Sequence, residues 1–363
     1  MSTFSRRELV VAANHSHLGS LVVNTTCVEA SHNGQWTTLA GLAVGNTTLL
    51  FKGRFPRIAY VHDENWLHSV VESPELCVEA LKVRRKGFPL ADIFTFYQKL
   101  PDTSPRYPYQ MEWESLAAIR ITSFEDWWNK LPQESRKNVR RSEKRGVTVC
   151  ARKLDDALIR DIVDLLKDSP TRQGKRFFHF GKTFDQVKKD QSSHLDRSEF
   201  ICAYFGSELI GLLKLVYVGS TASVLQFLPK ASQHDKRPAN ALMAKGVELC
   251  AEKGIPYFVY GNFNYGNKGD TSLREFKVRN GCEEFFVPRY YVPLTVKGAF
   301  CLRLGLHRGL LSLLPRGVLM SAWKVRAGWY AFRRFPSRCS SMLERPNRTR
   351  QTERSNPPTG STI

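Results

Sequence analysis

From residue 123 onward the apolar positions alternate between helical and extended periods. Residues 155–166 carry Leu158, Ile159, Ile162, Leu165 and Leu166 at helical spacing. Before them, 124–128 predicts a short helix behind Ser123 as its cap. Residues 135–144 predict a basic helix stopped by Gly146, and 147–151 alternates as a strand. Residues 183–193 read as a further helix. Three strands then follow in a row, 199–205, 208–218 and 222–228, divided by the turn dipeptides Gly206-Ser207 and Gly219-Ser220. A helix over 238–253 places Pro238 in its first turn, where a missing N–H costs nothing, and buries Leu242, Met243, Val247 and Cys250. After Gly254 come an apolar strand at 257–260, a helix at 272–279 closed by Asn280-Gly281, and two strands at 284–287 and 290–294. The first 130 residues are less patterned: 37–50 and 57–62 look extended, and the proline-rich 101–108 reads as a linker or long loop.

This order predicts an α/β (α+β) fold with a mixed sheet covered by helices on both faces. The helix starting at Pro238 joins two strands as a crossover, which makes those strands parallel neighbours.

Composition adds constraints. A chain of 363 residues with 42% hydrophobic positions can bury a large core. Its net charge of +20 is concentrated: residues 301–363 hold 12 Arg or Lys against 2 Glu, and 130–145 hold 7 against 2. Such runs suit an acidic partner or a solvated face. Residues 1–11 lack the apolar run of a signal peptide, and no stretch reaches the ~20 apolar residues of a membrane span. The eight cysteines show no paired spacing and several lie in apolar runs, which suits reduced thiols in a cytoplasmic protein. His15 and His17 form the one close histidine pair, without further ligands at metal spacing, so no metal site is expected. Neither a phosphate-binding loop nor a serine-hydrolase elbow is present.

Three segments carry a family resemblance. SRKNVRRSEKRGV (135–147) resembles the basic helix that opens the catalytic half of FemAB-type transferases, KRPANAL (236–242) the entry to their central helix, and LREFKVRNG (273–281) their Phe-Lys helix. The element order over 147–294 is similar to the GNAT acyltransferase fold. The resemblance implies a GNAT-like mixed sheet, a divergent and degenerate GNAT-like first half over 1–130, a catalytic domain over 131–295, and an acyl donor bound where the sheet splays after the three-strand meander. It implies acyl-CoA as co-substrate, or aminoacyl-tRNA in the cell-wall branch, with no tightly bound cofactor. The acceptor would be an amine or hydroxyl of a cell-envelope glycan precursor.

GNAT enzymes hold the donor's phosphates with an Arg/Gln-x-x-Gly-x-Gly/Ala turn at the start of the central helix. The matching positions are Lys236, Ala239 and Ala241, with Asn240 between them; Ala239 replaces the first glycine and Pro238 removes one N–H. The helix dipole remains available to an anion. Residues 171–182, TRQGKRFFHFGK, offer Arg172, Gln173, Lys175, Arg176 and Lys182 for acceptor binding among three phenylalanines. Such a run can equally be a basic connecting loop. Acyl transfer needs a proton acceptor, for which His179 and Asp235 are candidates; each also has a plain structural role, as a histidine packed between aromatics or a helix cap. Gln226, Tyr260 and Asn264 sit at strand ends flanking the expected splay; Gln226 is assigned to the donor, Tyr260 to catalysis and Asn264, with Lys277 of the Phe-Lys helix, to the acceptor. Ordinary strand-end hydrogen bonding would explain them too. The 171–182 loop and the Lys236 helix start are expected on one side of the sheet, bounding one cleft.

Beyond the fold, 296–335 reads as a basic amphipathic helical extension, with Leu, Trp and Arg over 302–335. It suits either packing on the domain or peripheral contact with an anionic membrane surface. Residues 336–363 read as a disordered tail. Acyl transfer is the leading function. The alternative is a non-catalytic nucleic-acid or polyanion binder, tRNA included, that keeps the fold. The oligomeric state is not legible.

Overall fold

The computed structural model describes residues 8–10, 22–32, 34–67, 71, 73–82, 84–85, 88–172, 175–264 and 272–309. These belong to one compact unit, Met1–Leu313. Gln173 and the expectations for 310–363 fall outside the described residues.

The strands are β1 (Glu8–Val10), β2 (Val22–His32), β3 (Gln35–Val44), β4 (Thr47–Lys52), β5 (Ile58–Val61), β6 (Ile93–Tyr97), β7 (Gln110–Arg120), β8 (Val147–Arg152), β9 (Ser198–Phe205), β10 (Glu208–Val218), β11 (Thr221–Pro229), β12 (Tyr257–Asn262) and β13 (Glu283–Pro293). The helices are α1 (Pro74–Lys82), α2 (Phe124–Lys130), α3 (Gln133–Lys144), α4 (Asp156–Leu166), α5 (Phe184–Gln191), α6 (Pro238–Glu252), α7 (Ser272–Arg279) and α8 (Val296–Arg303). All the labelled strands join one sheet in the order β1-β2-β3-β4-β5-β6-β13-β7-β12-β11-β10-β9-β8.

Two features of sequence chemistry set the local structure. Caps fix the helix starts: the side chains of Ser123, Asp155 and Thr183 accept from Asp126, Leu158 and Gln186 N–H, and Gln186 returns a bond to Thr183. Alternation fixes the strand faces. On β10, Leu213 and Leu215 face α6, whereas Leu212 faces α4 and α5. A separate core gathers α1 with β3–β6, including Leu49, Ala59, Phe94 and Phe96.

A parallel crossover occurs twice. β11 runs through α6 to its parallel neighbour β12, and β5 runs through α1 to its parallel neighbour β6. Between these pairs lie β7 and β13, both antiparallel to their neighbours. A mixed sheet with helices on both faces is what the element order anticipates.

Several expectations need correction. The two strands at 284–287 and 290–294 are one strand, β13. Pro288 does not interrupt it: its carbonyl still accepts from Gln98 N at 2.9 Å, just past the end of β6, and its missing N–H costs one bond only at that edge of the pairing. Residues 37–50 are two strands, split by a turn at Gly45. Strand β7, whose sequence shows no clear period, fills the place between β12 and β13. The 101–108 stretch is a long loop, as read, and a pinned one: the Gln98 carboxamide bonds Ser104 O and Arg106 N at 2.9 and 3.0 Å, and Tyr290 Oη accepts from Arg106 N at 2.8 Å.

Candidate active site

β11 and β12 pair only over Thr221↔Tyr257, Ala222↔Phe258 and Ser223↔Val259. Beyond that point β11 continues against β10 alone. Both strands carry an extra residue there. On β11, Lys214 and Leu215 of β10 face Gln226 and Val224, leaving Leu225 bulged. On β12, pairing with β7 jumps from Val259 to Asn262, with Gly261 at φ 62°. Bulges end pairing and re-aim side chains, and the sheet opens between Leu225 and Gly261. The amides of β11 that point away from β10 then face a gap in place of a partner strand.

The gap adjoins a cavity of about 670 Å³ on the α5 side, walled by both halves of the chain. From the second half come His179, Asp190, Gln191, His194, Lys214, Leu225, Gln226 and Asn262; from the first come Trp36, Tyr60, Asp63, Glu64 and Trp66.

Asp190, near the end of α5, organises one wall. Its Oδ1 accepts from Trp36 Nε1 at 2.7 Å, and Lys182 Nζ donates to its Oδ2. His179 Nδ1 lies 3.5 Å from the same Oδ2, close enough to pair as ions but outside good hydrogen-bond geometry. Burial opposes ionisation of Asp190, but these three partners outweigh it and hold its carboxyl below the usual range. A carboxylate at Nδ1 favours the tautomer with its proton there and leaves Nε2 able to accept. Next to Asp190, Gln191 Nε2 donates to Gln226 Oε1 at 2.7 Å, which ties α5 to the bulged strand.

Lys214 is fully buried and donates to Gln191 O and Ser193 O, both at 2.8 Å. Burial lowers its pKa to about 8, with Asp190 opposing. It closes the carbonyl end of α5, a position where a cation is favourable.

Across the cavity, Asp63 (φ 52°) and His194 (φ 54°) adopt left-handed backbone, which non-glycine residues rarely do. Their side chains meet at 3.9 Å, and the His194 ring lies 5.8 Å from that of Trp66. Burial lowers the His194 pKa, with Arg197 and Lys214 helping and Asp63 opposing. Below them Arg289 of β13 joins Glu114 and, at 3.3 Å, Glu64. Burial raises Glu64 from 4.5 to about 7 despite Arg289 and the Tyr97 N–H.

The sequence-derived site residues divide. His179 and Gln226 line the cavity, and Lys182 joins it through Asp190. Arg172 instead stacks on Phe177 at 4.4 Å, and burial lowers its pKa; Arg176 is exposed, and Lys175 is placed only by backbone pairing with Arg172. Asp235, Lys236, Ala239, Asn240 and Ala241 lie on the α6 face. The expected common side is therefore wrong: Phe177 packs with the α4–α5 core, whereas α6 covers the opposite face. The strand period decides this, because neighbouring residues of β10 point to opposite helices. Asp235 caps nothing. It lies in a 3-10 turn, 3.8 Å from both Arg145 and Lys236, and the cap of α6 is Arg237, left-handed at φ 59°. Lys236 Nζ sits 4.5 Å over the Phe205 ring, and Asn240 bonds Asn280 at 3.0 Å. Tyr260 packs with Phe227 and Phe276, and Lys277, buried and lowered to about 8, donates to Asn262 O at 2.7 Å. Asn264 binds Glu284 at 2.9 Å, away from the cavity.

Sequence reading missed Asp190, His194, Lys214, Asp63 and Glu64. A lysine inside the apolar run of β10 and the polar cluster His62–Asp63–Glu64–Asn65 at a strand end were the signals available. Among the described residues no cluster of His, Cys, Asp or Glu is arranged to hold a metal ion.

No family model matches the chain, and no curated protein sequence matches it. Solved structures do. The chain is similar to FemX at 12% identity over 77% of this chain and 89% of that one, with a TM-score of 0.43. It is similar to L-PGS from Bacillus licheniformis at 15% identity, covering 72% and 86%, TM-score 0.44. It is also similar to a tandem GNAT protein from the clavulanic acid biosynthesis pathway at 10%, covering 76% and 84%, TM-score 0.38.

Proposed function

We propose that this protein is an acyltransferase that moves an acyl or aminoacyl group onto an amine or hydroxyl held in the cavity. The observation that carries the reading is the opening between β11 and β12 beside a cavity that contains the His179–Asp190 pair. A donor carbonyl in the gap would accept from the unpartnered amides of β11, which offset the charge that develops on its oxygen. His179 Nε2 takes the proton as the acceptor nitrogen or oxygen bonds to the carbonyl carbon. Collapse of the intermediate breaks the bond to the thiol or ribose oxygen, and His179 returns the proton to that leaving group. Asp190 orients the ring and stabilises its charged form.

The donor's phosphates would meet the basic start of α6, where Arg145, Lys236 and Arg237 gather around a helix N-terminus. Acyl-CoA is the donor proposed first, and aminoacyl-tRNA the second; a glycan precursor of the cell envelope is the proposed acceptor class. The test is single-turnover transfer from a panel of acyl-CoAs and charged tRNAs to glucosamine-type acceptors. Transfer that falls about 10²–10⁴-fold in His179→Ala supports the reading. Absence of binding to every donor, or full transfer in His179→Ala, defeats it.

A further inference from the structure

Helix α8 is held firmly on its inner side. Thr295 caps it, accepting from Gly298 N at 2.9 Å and donating to Asp92 Oδ1 at 3.1 Å. A Cβ on Gly298 would stand 2.0 Å from Asp92 O, so only glycine lets the helix approach this closely. Cys301 and Leu302 are buried against Ile58 and Ile93. The outward direction of the helix is thereby fixed.

That outward face is apolar. Val296, Phe300 and Leu304 recur every fourth residue and are 89%, 58% and 50% exposed. Phe55, in the turn after β4, is 65% exposed, and Lys297 Nζ lies 4.6 Å over its ring. Contiguous exposed apolar side chains of this kind mark interaction surfaces. Exposed arginines neighbour these residues along the chain: Arg54 and Arg57 flank Phe55, and Arg303 lies one turn beyond Phe300. Asp92 lies beneath, only 12% exposed, and pairs with Lys297 at 3.3 Å.

From this patch we infer that α8 and the turn at Phe55 form a docking surface for an anionic lipid bilayer. Charge complementarity selects that occupant. Three exposed arginines around four large apolar side chains suit headgroup phosphates around an acyl boundary. A second copy of the chain would bring the same positive charges face to face. The inference is independent of the proposed transfer reaction, since none of these residues lines the cavity.

The test uses the full-length protein, sedimented with vesicles of phosphatidylglycerol and phosphatidylcholine or of phosphatidylcholine alone. Binding is expected only to the anionic vesicles and should weaken with salt. Arg54→Ser with Arg303→Ser should lower the affinity about 25-fold, at about fivefold per cation. Phe55→Ser with Phe300→Ser should lower it about tenfold or more, with the melting temperature as the check that the variant folds. The tail beyond residue 309 is intact in every variant, so a loss reports on this patch. Vesicle binding unchanged in both variants would overturn the inference. So would a self-associated protein that ignores vesicles and dissociates when Phe300 is changed.

Discussion

Replacing Glu64 by glutamine should remove a pH dependence from folding stability. The carboxyl is 14% exposed, beside Arg289 and the Tyr97 N–H, yet burial lifts it from 4.5 to about 7. Its folded value lies above its unfolded one, so the folded protein binds the extra proton between these two pH values. Stability from this group is complete below about pH 4.5 and declines as pH rises to about 7. At about 1.4 kcal/mol per pH unit the ceiling is about 3 kcal/mol, reduced by whatever rearrangement lets water reach the carboxylate. Glutamine keeps the oxygen that accepts from Tyr97 N at 2.7 Å and leaves Arg289 its bond to Glu114. Denaturant titrations near pH 5 and pH 8 measure the effect through the midpoint at constant slope. Wild type should lose stability from the lower to the higher pH, and Glu64→Gln should lose about 1–3 kcal/mol less. A variant whose stability falls with pH as steeply as wild type would refute the assignment of the raised pKa to Glu64.

Other expected outcomes follow from single contacts. Asp190→Asn should cut transfer by about 10²-fold or more with the substrate KM nearly kept, because it removes the partner that charges and orients His179; KM rising instead, with kcat unchanged, would place Asp190 in binding. Trp36→Phe should raise the Asp190 pKa by deleting the indole N–H bond, read by NMR of the carboxyl carbon. Gly298→Ala should destabilise the protein by about 1–3 kcal/mol in denaturant melts, since its Cβ cannot share space with Asp92 O. Lys236→Ala should weaken acyl-CoA binding without altering the melting temperature by more than a degree or two; unchanged donor affinity would remove α6 from the donor site.

The legible parts of this molecule are those whose period comes from one local cause. Helix α4 shows its five buried positions at helical spacing, and the three strands β9, β10 and β11 are punctuated by glycine turns, so their limits follow closely from residue type. Strand β7 was not legible because it is covered on both sides, with Ala117 and Ala118 both fully buried, and two-sided burial erases alternation. The site was legible only in part. His179 stands out in a basic aromatic loop, but Asp190 reads as one more polar residue on a solvated helix. Its significance lies in Trp36, 154 residues earlier, which meets it only after the β2–β3 hairpin has folded across α5. Asp63 and His194 are ordinary in sequence, and only their left-handed backbone marks them.

The separation of the predicted cluster onto two faces gives the proposed reaction its geometry. Were the 171–182 loop and the start of α6 on one face, a phosphate-bearing donor and the acceptor would compete for one cleft. With α6 on one face and the His179–Asp190 wall on the other, the sheet itself stands between them. The passage is the opening past Ser223 and Val259, which the bulges at Leu225 and Gly261 create. A donor anchored by cations at Lys236 and Arg237 needs to thread only its acyl end through that opening. In this reading the acceptor approaches from the α5 side, where no bulky phosphate group enters and where burial moves Glu64 up to about 7 and Lys214 down to about 8. In the proposed reaction the same gap that costs the sheet its β11–β12 ladder would provide the amides, the passage and the division between the two substrates. Filling it is the sharpest test of this geometry: Gly261→Val, at φ 62°, should press the strand back toward regular pairing or strain it. Transfer should fall while vesicle binding through α8 persists, and retention of full transfer would mean that the acyl group takes another route.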